Sequence, residues 1–555
     1  MLTTDLREAL ERALAANGWS LPEGNGTSAV PLEVPRVAEH GDYATNLALL
    51  IAKRAGLPPR QIAERLAEHV RQGSPAIESA EVAGPGFLNL RLRLDALREE
   101  LVSLVEAGSA YGTWPSRGTA PVLVEYVSAN PTGPMNVVNA RAAAVGAVLV
   151  RLFRAAGIGA SGEFYVNDAG RQVDLLGESV AARFRERIGL PAAFPEEGYQ
   201  GDYIRDLAGL VPEAEGRAAL APGGDPRYFR TFALERMLAQ QKADLEAYGV
   251  TFDLWTLESS LHESGALTAT LEDLTRAGHV YVEDGATWFR STTFGDEKDR
   301  VLVRQNGEPS YFLADIAYHR DKKERGFGRA LDLWGPDHHG HIGRMQASIR
   351  ALGLPEDFLE IEIVQFVRLL SKGELVKMSK RAGEFITLTD LIGEVGADCA
   401  KYFFLMRSTT AHLDFDLDLA KEQSNDNPAY YVQYAHARIA SLLRVAAEKG
   451  LEPPPDPSGR RTAAQRLVEP EERALLLLLA HFPELVRGAA DAREPHRLPT
   501  WLAQVAAAFH QFYQRHRVVT DDLELSRGRL LLARGVQQVI ANGLGLLGVS
   551  APERM

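Results

Sequence analysis

Apolar positions along the chain change their period twice. Over roughly the first 105 residues, stretches with a three-to-four-residue repeat such as "TNLALLIAKRAGLPPRQIAERLAEHV" give way to short runs such as "AEVAGPGFLNLRL". That mixture predicts amphipathic helices beside strands, a compact α+β domain over 1–110. From about 121 to about 420, apolar β-rich runs ("PVLVEYV", "ALDLWG", "EIEIVQFV") alternate with amphipathic helical stretches. This predicts an α/β domain on a largely parallel sheet, spanning 111–425, with a mostly helical insertion at about 177–295. From about 427 onward nearly everything carries a helical period, as in "YYVQYAHARIASLLRVAAEKG", "EERALLLLLAHFPELVRGAADA" and "TWLAQVAAAFHQFYQRHRV". A helical bundle is expected over 426–555, interrupted by a proline-rich, exposed loop "EPPPDPSGRRTAAQ" at 452–465. No internal repeat is found.

Composition narrows this picture only in places. The 555 residues suit about three or four domains, and 45% apolar content supplies their cores. The net charge of −13 argues against indiscriminate coating of nucleic acid, yet leaves room for a local basic face. No run of about 18 uncharged apolar residues occurs, and the N-terminal "MLTTDLREALERALAANG" carries acidic charge early, unlike a signal peptide. No membrane association and a cytoplasmic location are therefore expected. One cysteine, Cys399, leaves neither an internal disulfide nor a cysteine-based zinc cluster. Its apolar helical context, "GADCAKYFFL", reads as a packed thiol rather than a nucleophile.

Candidate chemistry concentrates in the middle region. The stretch "SANPTGPMNVVNARAAAVGAVLVRLFRAAG" at 128–157 reads as a strand end, a Pro/Gly turn at 130–134 and a long helix. Such a turn aims backbone N–H groups at a ligand on the positive end of the helix dipole; the plain alternative is a connection with no ligand. In "GELVKMSKRAGEFITLTDLI", Lys377 and Lys380 flank Met378 and Ser379 between Gly373 and Gly383. Two ammonium groups there can meet one polyphosphate and stabilise departing pyrophosphate, whereas the plain alternative is a solvated basic loop. Tyr311 and Asp315, four apart, share a face if "YFLAD" is helical; the plain alternative is a half-buried aromatic beside a helix-surface acid. His338, His339 and His341 resemble a metal cluster, but with no cysteine beside them zinc is not expected. Asn167, Asp168 and Gln172 in "VNDAGRQ" shape either a pocket or an Asx-turn into a helix.

Taken together and in order, these blocks resemble the arginyl-tRNA synthetases, a class I family, over essentially the whole chain. "SANPTGPMNVVNAR" stands where the family carries its version of the "HIGH" signature, usually ANPTGPLHVGHAR, and "VKMSKR" is similar to its "KMSKS" signature. "FYVNDAGRQ", "YFLADIAYHRDK", "WGPDHHGHIGRM" and "HLDFDLDLAKEQSNDNPAYYVQYAHARI" resemble further family blocks, while "HGDYATNLALLIAK" and "VAGPGFLNL" resemble its N-terminal domain. The resemblance implies a Rossmann-type catalytic domain between an N-terminal tRNA-contacting domain and a helical anticodon-binding domain. It implies ATP as a substrate accompanied by Mg²⁺, with arginine and tRNA(Arg) as partners. Glu125 and Asn130 would hold the amino-acid end of arginine, Tyr311 and Asp315 its guanidinium, with Asn167 and Gln172 shaping the pocket. Pro134, His338, His341, Met378 and Ser379 would contact ATP, and Lys377 and Lys380 would act in catalysis. A monomer is expected.

The chain departs from that pattern at one place. Where the family has two histidines and a glycine, this sequence has Asn136, Asn139 and Val138. Asparagine keeps a neutral donor of similar reach but cannot become cationic, and Val138 adds a branched side chain where close approach to adenine is expected. The residues leave three explanations open: a working variant with compensation elsewhere, a paralogue that binds tRNA or arginine silently, or an engineered change. A synthetase for another amino acid on the same fold also stays open. In the C-terminal bundle Tyr430, Tyr431, Tyr434, His436 and Arg438 read mostly as core. Tyr513, Arg515 and Arg517 in "FYQRHRV" read as RNA-facing.

Overall fold

The structure, a computed structural model, describes residues 2–21, 30–35, 37–376 and 386–555. Its first unit runs α1 (Leu2–Ala16), β1 (Tyr43–Thr45), α2 (Leu47–Ala55), α3 (Pro59–Gly73), β2 (Ile77–Ala83), β3 (Phe87–Leu92) and α4 (Leu94–Ala107). The strands form an antiparallel sheet in the order β1-β3-β2. α3 shows why the pattern works: Ile62, Ala63, Leu66, Ala67 and Val70 recur at helical spacing and are the residues it buries.

The central unit is built on five parallel strands in the order β11-β10-β4-β5-β6. They enter as β4 (Val122–Glu125), β5 (Ala160–Val166), β6 (Leu254–Leu257), β10 (Arg329–Trp334) and β11 (Leu359–Ile363). α5 (Val137–Ala155) connects β4 to β5, and α12 (Tyr311–Glu324) and α13 (Ile342–Ala351) flank β10. The chain builds outward from β4 through β5 to β6, then starts again on the other side of β4 with β10. Strand order therefore reverses between β4 and β10, the place where a parallel sheet opens a crevice at its carboxyl ends. α5 packs close over the sheet: a β-carbon on Gly146 would lie 2.1 Å from the Tyr126 ring, so only glycine fits there.

The stretch 177–295 is mostly helical but carries strands as well. α6 (Arg171–Arg187), α7 (Asp202–Leu210), α8 (Glu213–Leu220) and α9 (Tyr228–Ala247) do form a helical group around Leu176, Phe184, Ile204, Phe229 and Met237. After them, however, β6 rejoins the main sheet beside β5. α10 (Glu258–Glu263) and α11 (Ala266–Arg276) follow, and β7 (Val280–Glu283), β8 (Ala286–Phe289) and β9 (Arg300–Val303) make an antiparallel sheet. The turn between β7 and β8 places Asp284 and Gly285 at φ 49° and 76°, the Asp-Gly hairpin signature.

A small sheet, β13-β12-β14, follows: β12 (Val367–Ser371), β13 (Glu374–Leu375) and β14 (Leu413–Asp416), with α14 (Leu388–Val395), α15 (Ala397–Leu405) and α16 (Leu417–Lys421) around it. The last unit is a bundle of α17 (Pro428–Ala447), α18 (Pro457–Ala464), α19 (Pro470–Ala492), α20 (Arg497–Arg515) and α21 (Leu523–Leu547). The expected proline-rich loop is half helix. Asp456 caps α18 by accepting from Gly459 N at 2.9 Å, and Pro457 takes the first helical position, where its missing N–H costs nothing. α21 is the one helix among the described residues long and apolar enough to cross a membrane, but 67% of its most apolar window is buried in the bundle. Cys399 is a packed thiol: Sγ donates to Ala420 O at 3.1 Å, and burial pushes it up to about 11.

Candidate active site

At the crevice, β4 ends in strain. Val127 and Ser128 take φ of 70° and 37°, and Ser128 N donates to Tyr126 O at 3.0 Å, a γ-turn centred on a β-branched residue. Such a backbone costs of order 1–3 kcal/mol per residue and persists only when neighbours hold it. Ser128 Oγ does so, donating to Glu125 Oε1 at 3.0 Å and accepting from Tyr165 N at 3.1 Å. The following turn is gripped by the helical group. Gln241 Nε2 on α9 donates to Asn130 O and Gly133 O at 3.1 and 2.9 Å, and the Tyr203 hydroxyl donates to Thr132 O at 2.8 Å. Pro134 ends this turn, half-buried.

The start of α5 differs from the expected open anion site. Asn136 is its N-cap: Oδ1 accepts from Val138 N at 2.9 Å and Asn139 N at 3.2 Å, while Asn139 Oδ1 accepts from Asn136 N at 3.1 Å. This reciprocal capping box satisfies the backbone donors that a phosphate would otherwise take. The physical reason is that asparagine is among the best N-caps. Neither Nδ2 group has a partner among the described residues, so both amides keep their donors. Val138 sits in the regular first turn of α5, half-exposed. Restoring the family residues, with Asn136→His, Val138→Gly and Asn139→His together, is expected to raise kcat. The lost cap costs about 0.5–2 kcal/mol of stability, read by denaturant unfolding. An unchanged or lower kcat would mean that the rest of the site already compensates.

Lys377, Met378, Ser379 and Lys380 lie outside the described residues. The chain after them returns to the same turn: Leu388 N donates to Met135 O at 2.9 Å, and Asn136 and Thr387 form an isolated antiparallel bridge. Arg141, fully buried one turn into α5, ties the helix to both strands of the small sheet's frame. It donates to Gln365 O at 2.8 Å and Ala411 O at 3.0 Å through Nη1, and to Ser408 O at 2.9 Å through Nη2.

Beside the turn lies an acidic pocket. Asn130 Nδ2 donates to Gln172 Oε1 at 2.7 Å, which brings two of the sequence candidates together. Tyr311 and Asp315 share a face of α12 as expected, and the Tyr311 hydroxyl reaches α6's entrance, where a β-carbon on Gly170 would lie 3.2 Å from it. Burial, then the carboxylates Glu258 and Glu125, push the Asp315 carboxyl up to about 7, against the pull of His319. Glu258 and Glu125 are likewise raised, chiefly by burial. Asn167, with its amide turned to suit its neighbours, donates to Glu258 Oε2 at 3.2 Å. Asp168 is committed structurally, accepting from Ser259 N at 2.8 Å and Ser259 Oγ at 2.6 Å. Glu125 is paired from the core side. Lys322 Nζ donates to its Oε2 at 2.6 Å and to Asp332 Oδ1 at 2.8 Å, and His319 Nε2 lies 2.9 Å from Asp332 Oδ2. Sequence reasoning missed Glu258, Lys322, His319 and Asp332. The only signal was the three-residue spacing of His319, Lys322 and Arg325 along one stretch.

Across the crevice, His338 and His341 pack edge to face with ring centroids 5.6 Å apart. Burial, then Arg344, lowers the His341 imidazole; Arg344 itself keeps a buried Nε without a partner. Among the described residues no group of three or more His, Cys, Asp or Glu is placed to hold a metal ion.

In the bundle, the candidate RNA face is rearranged. Arg515 pairs with Glu471 where α20 meets α19, and its side chain stays 60% exposed. Tyr513 lies under the Arg438 guanidinium, 4.5 Å from its ring centroid, and Arg517 is exposed. Tyr430 and Tyr434, read from sequence as core, are half-exposed and stacked, centroids 6.0 Å apart with 8° between planes. His436 alone of that helix's polar aromatics is buried, its Nδ1 2.8 Å from Pro552 O.

Comparison with known proteins agrees with this layout. The family described as tRNA synthetases class I (R), catalytic domain, matches residues 102–404. The arginyl tRNA synthetase N terminal domain matches 1–92, and the DALR anticodon binding domain matches 432–555. The arginine–tRNA ligase of Symbiobacterium thermophilum is 48% identical, covering 99% of this chain and 98% of that protein. That of Bacillus subtilis is 45% identical, covering 99% and 98%. A solved structure from Campylobacter jejuni, titled a putative arginyl tRNA synthetase, superposes with a TM-score of 0.77 at 35% identity, covering 84% of this chain and all of the other. The Thermus thermophilus arginyl-tRNA synthetase shares the fold over both full chains at TM-score 0.77 and 24% identity. With family models spanning more than half its length and relatives this similar end to end, the chain belongs to the class I arginyl-tRNA synthetases.

Proposed function

We propose that this crevice activates L-arginine with ATP and passes it to tRNA(Arg). An arginine carboxylate oxygen attacks the α-phosphorus of ATP, giving arginyl-adenylate and pyrophosphate; a 3′-terminal ribose hydroxyl of the tRNA then displaces AMP. Three carboxyls, Glu125, Glu258 and Asp315, raised together in one pocket are the observation that carries this reading. Lys322 meets Glu125 from the core side, which leaves Asp315 without an ion pair among the described residues, and a guanidinium supplies a cation in planar, bidentate form. Asp315 and Tyr311 take the guanidinium, while Glu125, Asn130, Gln172 and Asn167 orient the amino-acid end. Pro134, Val138, His338, His341, Met378 and Ser379 face ATP, whose Mg²⁺ arrives with the phosphates. Lys377 and Lys380 offset charge on the leaving pyrophosphate, with the neutral amides of Asn136 and Asn139 as supplementary donors. Tyr513, Arg515 and Arg517, with the Tyr430–Tyr434 stack that Arg438 links to Tyr513, meet tRNA bases and phosphates. The units fall at 1–110, 111–425 and 426–555, acting as a monomer in the cytoplasm.

The test is charging of tRNA by purified protein with arginine, lysine and citrulline offered separately. Arginine alone is expected to be esterified, since citrulline lacks the charge and lysine lacks the fork. Charging with none of them would favour a silent binding protein, and charging with another amino acid a different synthetase.

A further inference from the structure

At the carboxyl end of the sheet, three buried acids stand side by side on adjacent strands. Asp332 on β10 is in register with Glu125 on β4, and Glu125 with Glu163 on β5. α12 and its C-cap residue Arg325 lay three basic side chains over them at three-residue spacing, one face of a helix. His319 meets Asp332, Lys322 bridges Asp332 and Glu125, and Arg325 forks onto Glu163 at 2.8 and 3.1 Å. Lys322 is fully buried, and its ammonium also lies 4.3 Å from the Tyr318 ring centroid. Of this row only Glu125 also borders the arginine pocket, through Ser128 and Tyr165.

We infer that Lys322 is the positioning residue for arginine selection: it keeps Glu125 ionised and aimed at the substrate, while touching no substrate itself. The inference rests on the arginine-activating reading above. The groups facing Glu125 are Lys322, His319 and Tyr318 from α12, Asp332 from β10, Glu163 and Tyr165 from β5, with Asp315 across the pocket. Lys322 is the cation in contact with it, and five of the others are acids or phenols. Without Lys322, Glu125 and Asp332 confront each other as like charges in a dry site, and the carboxylate nearer the pocket takes up a proton. With Lys322 gone, Asp332 keeps His319 Nε2 at 2.9 Å, whereas Glu125 keeps only the neutral Ser128 hydroxyl at 3.0 Å, so it is Glu125 that yields.

The experiment compares full-length Lys322→Met, Glu125→Gln and the double variant by calorimetry, measuring Kd for arginine and for ATP from pH 7 to 9. Lys322→Met is expected to weaken arginine by about tenfold or more at pH 7, one pKa unit being worth a factor of ten. It should recover as pH rises toward 9, a range where the wild type is flat, with ATP affinity unchanged. In the Glu125→Gln background, removing Lys322 should add nothing, and this pair decides the matter even if Lys322→Met alone does not fold. Additive losses, or arginine and ATP weakened equally at every pH, overturn the inference. Wild-type protein that fails to bind arginine overturns the underlying reading instead.

Discussion

Lys380→Ala is expected to lower kcat of arginine-dependent pyrophosphate exchange by roughly 10²–10³-fold, and Lys377→Ala by a similar factor, with the arginine KM little changed. The reason lies at the start of α5. Asn136 and Asn139 spend their carbonyl oxygens on each other's backbone, and their remaining amide donors are neutral. Negative charge that gathers on pyrophosphate as it departs must therefore be met by cations, and the sequence offers these two lysines in the segment that returns to the same turn at Thr387 and Leu388. Interactions made only as that charge develops lower kcat rather than raise KM when removed. Exchange kinetics at saturating arginine and ATP read the effect. Near wild-type kcat in the double variant would move the burden to His338, His341 and Arg344.

Asp315→Asn is expected to raise the arginine KM by roughly 30- to 5,000-fold, the cost of about 2–5 kcal/mol for truncating one partner of a buried charge pair. The pH dependence has a definite sign. In the free protein the carboxyl sits near 7, while the guanidinium binds its ionised form. Below pH 7 binding must expel a proton, and affinity falls by about tenfold per unit; above pH 7 it is flat. Asparagine at 315 removes that slope. Stability runs the opposite way in the unliganded protein. A carboxyl raised from 3.8 to about 7 on folding contributes stability that is complete below pH 3.8 and is lost as pH rises through 7. Arginine should restore it, so the thermal shift on adding arginine is expected to be larger at pH 8 than at pH 6. Equal shifts at both values would place the guanidinium elsewhere.

Much of this was legible in the chain because the informative segments are local. The parallel strands β4, β10 and β11 announce themselves as short apolar runs, α5 by its long helical period, and the Tyr311/Asp315 pair by its spacing together with the family resemblance. Other features were present as signals that carry a second, structural role. Asn-x-x-Asn at a helix start is a capping pattern before it is a phosphate contact, and Asp456-Pro457 marks a helix beginning inside what composition calls a loop. β6 escaped because four residues, "LWTL", carry too little alternation to stand out among helices. The row of Asp332, Glu125 and Glu163 was out of reach. Its members come from three segments separated by up to 207 residues of sequence, from Glu125 to Asp332, and only strand register brings them side by side. Likewise, Tyr430 and Tyr434 keep core-like helical spacing although the bundle leaves that face half open.

The strain at Val127 and Ser128 belongs to the same site. A backbone that costs energy at the end of β4 is kept by hydrogen bonds that also set Glu125 and Tyr165, so part of the fold's stability is spent on holding the pocket's shape.

Arginine-dependent exchange of labelled pyrophosphate into ATP, run with tRNA present and purified protein, tests most directly whether this crevice forms the adenylate with asparagines in place of imidazoles. Exchange that requires arginine, and is not supported by lysine or citrulline, is expected. No exchange at high protein concentration, together with no charging of tRNA, would contradict it.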